Sequence, residues 1–173
     1  APETVPTNVG DATAYNEEQL MYTDPSVFEA FTHPFREGNP QTALRQANSI
    51  VLTTTLARQY FGDQSALGKT LWLGEGKESY SVTGGMEDLP DNTHLKFDGL
   101  LSGMEEGNLP GSDGSFNSEK LWNGDVYTYL LFPEDYDPAG FFAKFQPFYD
   151  QYLKPFGEQV NGRLWFDLEP LAE

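Results

Sequence analysis

The run from Asn48 to Leu73 constrains the fold more than any other part of the chain, because a strand, a capped helix, a glycine stop and a second strand follow one another within it. Ser49–Leu52 is a short apolar run with a β-branched centre, suited to a strand. The threonines that follow supply the hydroxyl that an opening helix needs for its unpaired N–H groups, which makes Thr53 or Thr54 the N-cap. Leu56, Ala57, Tyr60 and Phe61 recur on one helical face, and Gly62 stands where a left-handed C-terminal residue belongs. The helix is expected to be about two turns long. Beyond Gly68, the segments 70–73 and 79–83 read as strands joined by a hairpin loop at Gly74-Glu-Gly-Lys-Glu78.

A phosphate-binding loop is the tempting alternative for this stretch, since Gly62 is followed by Gly68-Lys69-Thr70. It fails on spacing, because five residues separate the two glycines where the motif requires four. It also fails on context. The motif needs amides at a helix N-terminus facing the phosphates, whereas here the helix precedes the glycine-lysine and a strand follows it.

Elsewhere the pattern is of short elements. Residues 1–19 read as a loose polar entry segment. Asp24-Pro25 opens a helix whose buried face is Val27, Phe28 and Phe31, and Pro34 ends it. Gly38-Asn39-Pro40 is a turn, and Gln41–Gln46 a further helical turn. Leu95–Leu101 alternates as a strand, with Leu95, Phe97 and Gly99 on one face and Lys96, Asp98 and Leu100 on the other. The glycines of Gly84-Gly85 and Pro90 end the strand before it, and Asp91-Asn92 makes a side-chain-stabilised turn. Residues 103–125 are rich in Gly, Ser, Asn and Asp and read as a surface loop or a boundary. Val126–Phe132 is a strand candidate, Asp137-Pro138 opens a helix with an aromatic stripe over Phe141, Phe142, Phe145, Phe148, Tyr149 and Tyr152, and Arg163–Leu168 closes the unit as a strand. Stripes at helical spacing mark core more often than a cofactor pocket. Pro147 is expected to kink or split that helix. Trp72 and Trp122, if exposed together, would mark a contact patch; strand membership and loop anchoring account for them otherwise.

Charge and composition exclude several classes. Ten basic residues against 27 acidic ones give a net charge of −17. Nucleic-acid affinity comes largely from neutralising phosphates, so DNA, RNA and anionic lipid surfaces are poor partners. The acidity fits either an ordinary solvated surface or adaptation to high salt, two readings separated by whether the fold loosens as salt is removed. Cysteine is absent, which removes disulfides and every thiolate site. No stretch approaches the roughly 18 apolar residues of a membrane span.

The catalytic inventory is thin, and no catalytic, cofactor or metal residue is assigned. His33 and His94 are far apart and each reads as a structural hydrogen-bonding residue. No Gly-x-Ser-x-Gly elbow occurs. Glu17-Glu18, Glu87-Asp88, Asp88 with Asp91, Glu105-Glu106 and Glu134-Asp135 are adjacent carboxylates of the kind 27 acidic residues produce by chance. Asp113–Glu119 superficially resembles a calcium loop, without its full ligand pattern or flanking helices.

Several of these segments together resemble a known family. The carriers are Tyr22-Thr-Asp-Pro-Ser-Val-Phe-Glu-Ala-Phe31, Pro34-Phe-Arg-Glu-Gly38, Ala43-Leu44, Asn48-Ser-Ile-Val-Leu-Thr53, Leu56-Ala57, Tyr60-Phe-Gly-Asp63, Leu67-Gly-Lys-Thr70, Tyr80-Ser-Val-Thr-Gly-Gly85 and Leu89-Pro-Asp-Asn-Thr-His-Leu-Lys-Phe-Asp98. In this order and spacing the stretch from about Met21 to Ser102 resembles the extracytoplasmic core domain of MacB/FtsX-type ABC transporter permeases. The resemblance implies an α+β fold of small mixed sheets and short helices. It implies a core subdomain over 1–103, a flexible boundary over 104–124 and a strand-helix-strand, porter-like subdomain over 125–173. It implies a non-catalytic domain, outside the inner membrane, that passes ATP-driven movement to a substrate or partner. The implied partners are a cognate ATPase acting through membrane helices absent from this chain, an extracytoplasmic adaptor, and a second permease copy, with no cofactor. The opening Ala-Pro-Glu, with no methionine or signal pattern, points to a processed chain or a piece of a longer one. Only about twenty residues precede Tyr22, so part of the domain is expected to be missing. Two other classes remain: a free-standing periplasmic or secreted ligand-binding module with a preformed apolar pocket, and a hydrolase with a buried carboxylate pair.

Overall fold

The computed structural model describes residues 3–4, 7–8, 19–73, 78–104, 127–137, 139–159, 161–163, 165 and 167–171. It divides into two units, Ala1–Phe116 and Asn117–Glu173. The expected boundary over 104–124 lies outside the described residues apart from Met104.

The first unit is one mixed sheet with short helices, an α+β fold. Its strands are β1 (Glu3–Thr4), β2 (Thr7–Asn8), β3 (Gln19–Thr23), β4 (Phe35–Gly38), β5 (Ser49–Thr53), β6 (Thr70–Leu73), β7 (Glu78–Met86) and β8 (Gly99–Ser102). They lie in the order β1-β3-β8-β5-β7-β6-β2, with β4 also paired to β7. The β3–β8 and β5–β7 pairs are parallel and the others antiparallel.

Helix α2 (Thr54–Phe61) follows from its sequence. Thr53 is the N-cap, accepting the Leu56 N–H on its hydroxyl at 3.3 Å, and Gly62 closes the helix at φ +63° with its N–H on Arg58 O at 2.8 Å. Leu56 is buried, and Ala57, Tyr60 and Phe61 pack beside it against Ile50, Leu52, Leu71, Leu73, Tyr80, Val82 and Leu101. The opposite layer holds Ala43, Leu44, Val51, Met86, Leu95, Phe97 and Leu100. Strand β5 thus has both faces covered, and all five of its residues are buried. This is why it reads as an uninterrupted apolar run and not as an alternation.

Helix α1 (Val27–Ala30) is shorter than the Asp24-Pro25 opening suggested. The Asp24 carboxylate accepts the Ser26 N–H at 2.8 Å and the Ser26 hydroxyl, closing a local turn that leaves room for a single helical turn before Phe31. Val27, Phe28 and Phe31 do form its packed face.

Strand β7 departs from expectation. It runs through Gly84 and Gly85 to Met86 and does not end at the glycines. Ile50 pairs with Val82 but Val51 pairs with Gly84, so Thr83 is an extra residue in the ladder. Such a bulge inverts every side chain beyond it: Tyr80 and Val82 face α2, whereas Met86 lies in the opposite layer. Gly84 is needed there for close approach, since a Cβ on it would stand 2.7 Å from Cε1 of Phe35 on the neighbouring β4.

Strand β8 is also shorter than the expected Leu95–Leu101. Leu95, Phe97 and Leu100 share one layer, so the alternation slips between Phe97 and Leu100. The slip occurs at Asp98, which leaves β8 to tie two other strands together. Its N–H donates to Gln19 O at 2.7 Å, its carboxylate accepts the Gln19 N–H at 2.9 Å, and its carbonyl accepts the Thr53 N–H at 2.9 Å.

The turn at 39–46 is part of the core. Asn39 takes the Gln41 N–H on its side chain and the Ala43 N–H on its carbonyl, both at 2.9 Å. Sheet hydroxyls then hold the turn down: Thr83 donates to Ala43 O at 2.5 Å, Ser102 to Leu44 O at 2.9 Å and Ser49 to Gln46 O at 2.7 Å. Buried carbonyls must find donors, and here threonine and serine supply them where a ladder cannot.

The second unit contains α3 (Ala139–Phe148), a π-helical segment over Tyr149–Leu153, and α4 (Lys154–Gln159). The expected break at Pro147 takes the form of this π-helical segment, in which the Lys154 N–H reaches back to Tyr149 O. Pro147 and Pro155 bracket it, and neither can donate to an α-type bond. Asn161 at φ +55° turns the chain after α4, and the Gly162 N–H returns to Gly157 O at 2.8 Å. The expected strands at 126–132 and 163–168 are not strands over their described residues. Their apolar pattern is present, but an extended segment becomes a strand only when a second ladder takes up its backbone groups. Leu130 and Leu131 are exposed.

Candidate functional site

The described residues present three places where polar or aromatic groups converge. The first is the junction of α2 with the connection after β7. Asp88 accepts the Thr55 N–H at 2.8 Å and the Thr55 hydroxyl at 2.9 Å, while the Thr54 hydroxyl donates to Met86 O at 3.0 Å. A carboxylate over the first turn of a helix satisfies an unpaired amide and opposes the helix dipole. The Glu87–His94 segment is therefore pinned to α2 as an inter-strand connection. Asp88→Ala is expected to cost about 1 kcal/mol of stability, read as a lower urea midpoint, with Asp91→Ala near neutral as the comparison.

The second is a hydroxyl relay at Tyr80, which is buried on β7. Its O–H donates to Glu78 Oε2 at 3.0 Å, so the 2.9 Å contact with Tyr22 is made by the Tyr22 proton. Burial, and then the bonds to Tyr22 and Glu78, push the Tyr80 phenol far above its ordinary value. It stays protonated at every physiological pH and serves as a structural tie between β3 and β7.

The third is a file of rings in the second unit. Phe132 stacks on Tyr136 at 4.7 Å and meets Phe141 edge-on at 5.7 Å; Phe141 stacks on Phe145 at 5.8 Å; Phe145, Phe148 and Tyr152 continue the file at 5.5 and 5.1 Å. Phe142, Phe148 and Tyr152 are each more than a third exposed, so the stripe read as core from the sequence is partly surface. Leu153 is the large side chain of this unit that is buried among the described residues.

The remaining sequence candidates fall apart in space or into structural roles. Glu87 pairs with Arg36 at 3.5 Å, and Glu87, Asp88, Asp91, Glu134 and Asp135 are all exposed. Glu17-Glu18, Glu105-Glu106, Asp113–Glu119 and Trp122 lie outside the described residues. Trp72 is 45 % exposed on the outer side of β6. Lys69 of the rejected phosphate loop donates to Gln64 Oε1 at 2.9 Å and covers the Phe61 ring at 4.8 Å. Among the described residues, no three His, Asp or Glu side chains converge as metal ligands. His33 departs from the expected hydrogen-bonding role at one nitrogen: its Nε2 is buried with no hydrogen-bond partner, and the ring packs against Phe28, Phe31 and Phe97.

The sequence matches the model of a protein family, the MacB-like periplasmic core domain, over residues 1–105. The chain belongs to that family. The matched span includes every strand of the first unit, so the β5–α2–β6–β7 arrangement and the turn at 39–46 are features of a MacB-like core domain. Among solved structures, the domain is similar to a domain assigned to a permease protein from Porphyromonas gingivalis, at 20% identity and a TM-score of 0.61, over 86% of this chain and 65% of that one. That likeness is one of fold. It is also similar to the periplasmic region of MacB from Actinobacillus actinomycetemcomitans, at 18% identity and a TM-score of 0.40, over 50% of this chain and 42% of that one. The extracellular domain of the noncanonic ABC-type transporter YknZ from Gram-positive bacteria matches at 17% identity and a TM-score of 0.45, over 67% of this chain and 57% of that one. The MacB-like domain thus spans less than two thirds of the length of each of these structures. No curated protein matches the sequence. No described helix is long and apolar enough to cross a membrane.

Proposed function

We propose that this MacB-like domain is a non-catalytic, extracytoplasmic part of an ABC transporter permease, and that it passes movement driven by a cognate ATPase to a substrate or an adaptor outside the membrane. The family match over residues 1–105 carries the reading. The construction of the first unit supports it. A sheet covered on both faces and cross-tied by Asp98, Thr83 and Ser102 moves as one body, which is what transmission of a displacement requires. The proposed boundary in this reading falls within 104–124, between a core subdomain over 1–103 and a porter-like subdomain over 125–173. Pairing of two permease copies belongs to the same reading. Among the described residues, the exposure of Glu87, Asp88, Asp91, Glu134 and Asp135 fits a non-enzymatic role, because a hydrolase's working carboxylate pair is buried in a cleft.

These 173 residues hold no cysteine, so a single one can be placed here once any cysteines elsewhere in the full-length protein are replaced by serine. Gln59→Cys, on the exposed side of α2, in the full-length protein is expected to react with a membrane-impermeant maleimide while the inner membrane is intact. Reaction only after that membrane is broken would place the domain in the cytoplasm and overturn the reading.

A further inference from the structure

We propose that His33 is a pH-sensitive latch, holding the corner between α1 and β4 closed only while its imidazole is uncharged. The ring bridges α1, with its C-cap Phe31, and the run into β8. It stacks on Phe31 at 6.2 Å between centroids and 28°, and meets Phe28 at 6.3 Å and Phe97 at 5.8 Å, both nearly perpendicular. Phe28 in turn meets Phe35 of β4 edge-on at 4.9 Å, so α1, β4 and the run into β8 are joined through this cluster.

Chemistry makes the arrangement conditional. A neutral imidazole needs only one N–H, and the other nitrogen can lie bare among rings at modest cost. A charged imidazole carries a proton on both nitrogens, and the buried Nε2 has no acceptor among the described residues. The charged groups on the packed elements are engaged elsewhere. Asp24 binds Ser26, Glu37 binds the Ser65 hydroxyl, Arg36 binds Glu87, Lys96 binds Asp91 O and Asp98 binds the Gln19 N–H. Glu29, His94 and the Asp88 and Asp91 carboxylates also lie on these segments, and none of them hydrogen-bonds Nε2. Burial lowers the His33 pKa from its ordinary 6.5. The open corner therefore binds the proton at a higher pH than the closed one does. Closure is at full strength above about pH 6.5 and weakens as pH falls below it.

The test is hydrogen exchange at the Glu29, Ala30 and Phe31 amides, which bond to Ser26 O and Val27 O within the corner. After correction for intrinsic exchange, their opening constant in the native chain is expected to rise about tenfold per pH unit below 6.5 until His33 titrates in the closed state. In His33→Phe, which keeps an aromatic ring that cannot titrate, the rise is expected to vanish, and His94→Gln is expected to keep it. NMR titration of the native imidazole tests the same point without a variant: His33 is expected to titrate below 6.5, with the ring signals of Phe28, Phe31 and Phe97 moving together. Titration at or above 6.5, pH-independent opening in the native chain, or a response retained in His33→Phe would each overturn the latch.

Discussion

Gly38→Val is expected to unfold the first unit, at a cost of about 3–6 kcal/mol from backbone strain and overpacking together. Gly38 ends β4 at φ +83°, a region that a β-branched residue avoids, and a Cβ there would lie 2.5 Å from Thr83 O and 2.9 Å from the Gly84 Cα. Both neighbours are backbone, fixed by the bulge that lets β4 cross close to β7, so neither can move aside. Since whole domains are stable by only about 5–15 kcal/mol, the loss should appear as failure to accumulate or as a collapsed urea midpoint. Gly62→Ala is the comparison. At φ +63° and ψ −139° its backbone also disfavours a side chain, but nothing lies within 4 Å of the added carbon. A backbone cost alone of about 1–3 kcal/mol is expected there. Equal effects at the two positions would show that backbone conformation alone matters and that the β4–β7 approach is looser than described.

Leu44→Ala is expected to cost about 2–5 kcal/mol, an unusual value for a residue in a turn. Leu44 is fully buried, and its carbonyl accepts the Ser102 hydroxyl at 2.9 Å, so side chain and backbone are both built into the layer opposite α2. Deleting the side chain leaves a cavity that the hydrogen-bonded turn cannot collapse to fill. Leu67→Ala, at 45 % exposure, should change the midpoint little. A small effect at Leu44 would mean that the 39–46 turn rides on the sheet without contributing to its core.

Local chemistry made the best of the fold legible. The N-cap at Thr53, the glycine stop at Gly62 and the strands on either side follow from hydroxyl capping, left-handed backbone and short apolar runs, all of which act within a few residues. What escaped was set by distant partners. Phe35–Gly38 carries no element of its own in the sequence, between Pro34 and the Gly38-Asn39-Pro40 turn, and becomes β4 because β7 offers a ladder and Gly84 makes room for a ring. The bulge at Thr83 has no local mark, since a threonine in a strand is unremarkable until its hydroxyl is seen to reach Ala43 O and Ile50 O. The slip at Asp98 is hidden for the same reason. A histidine before a proline looks like a polar turn residue, and the three rings that pack on His33 come from 28, 31 and 97. The aromatic stripe of the second unit shows the limit of periodicity, which reports that a face is apolar without saying what, if anything, lies against it. Family membership was legible through the ordered set of segments that the core-domain family shares.

The most direct test of transmission is the distance between spin labels at Gln59→Cys and Lys144→Cys, exposed positions in the first and second units, measured in the full-length permease reconstituted with its ATPase. A distance distribution that shifts between the nucleotide-free and ATP-trapped states is the predicted result; an identical distribution in both states, while ATP is being hydrolysed, would contradict a transmitting role.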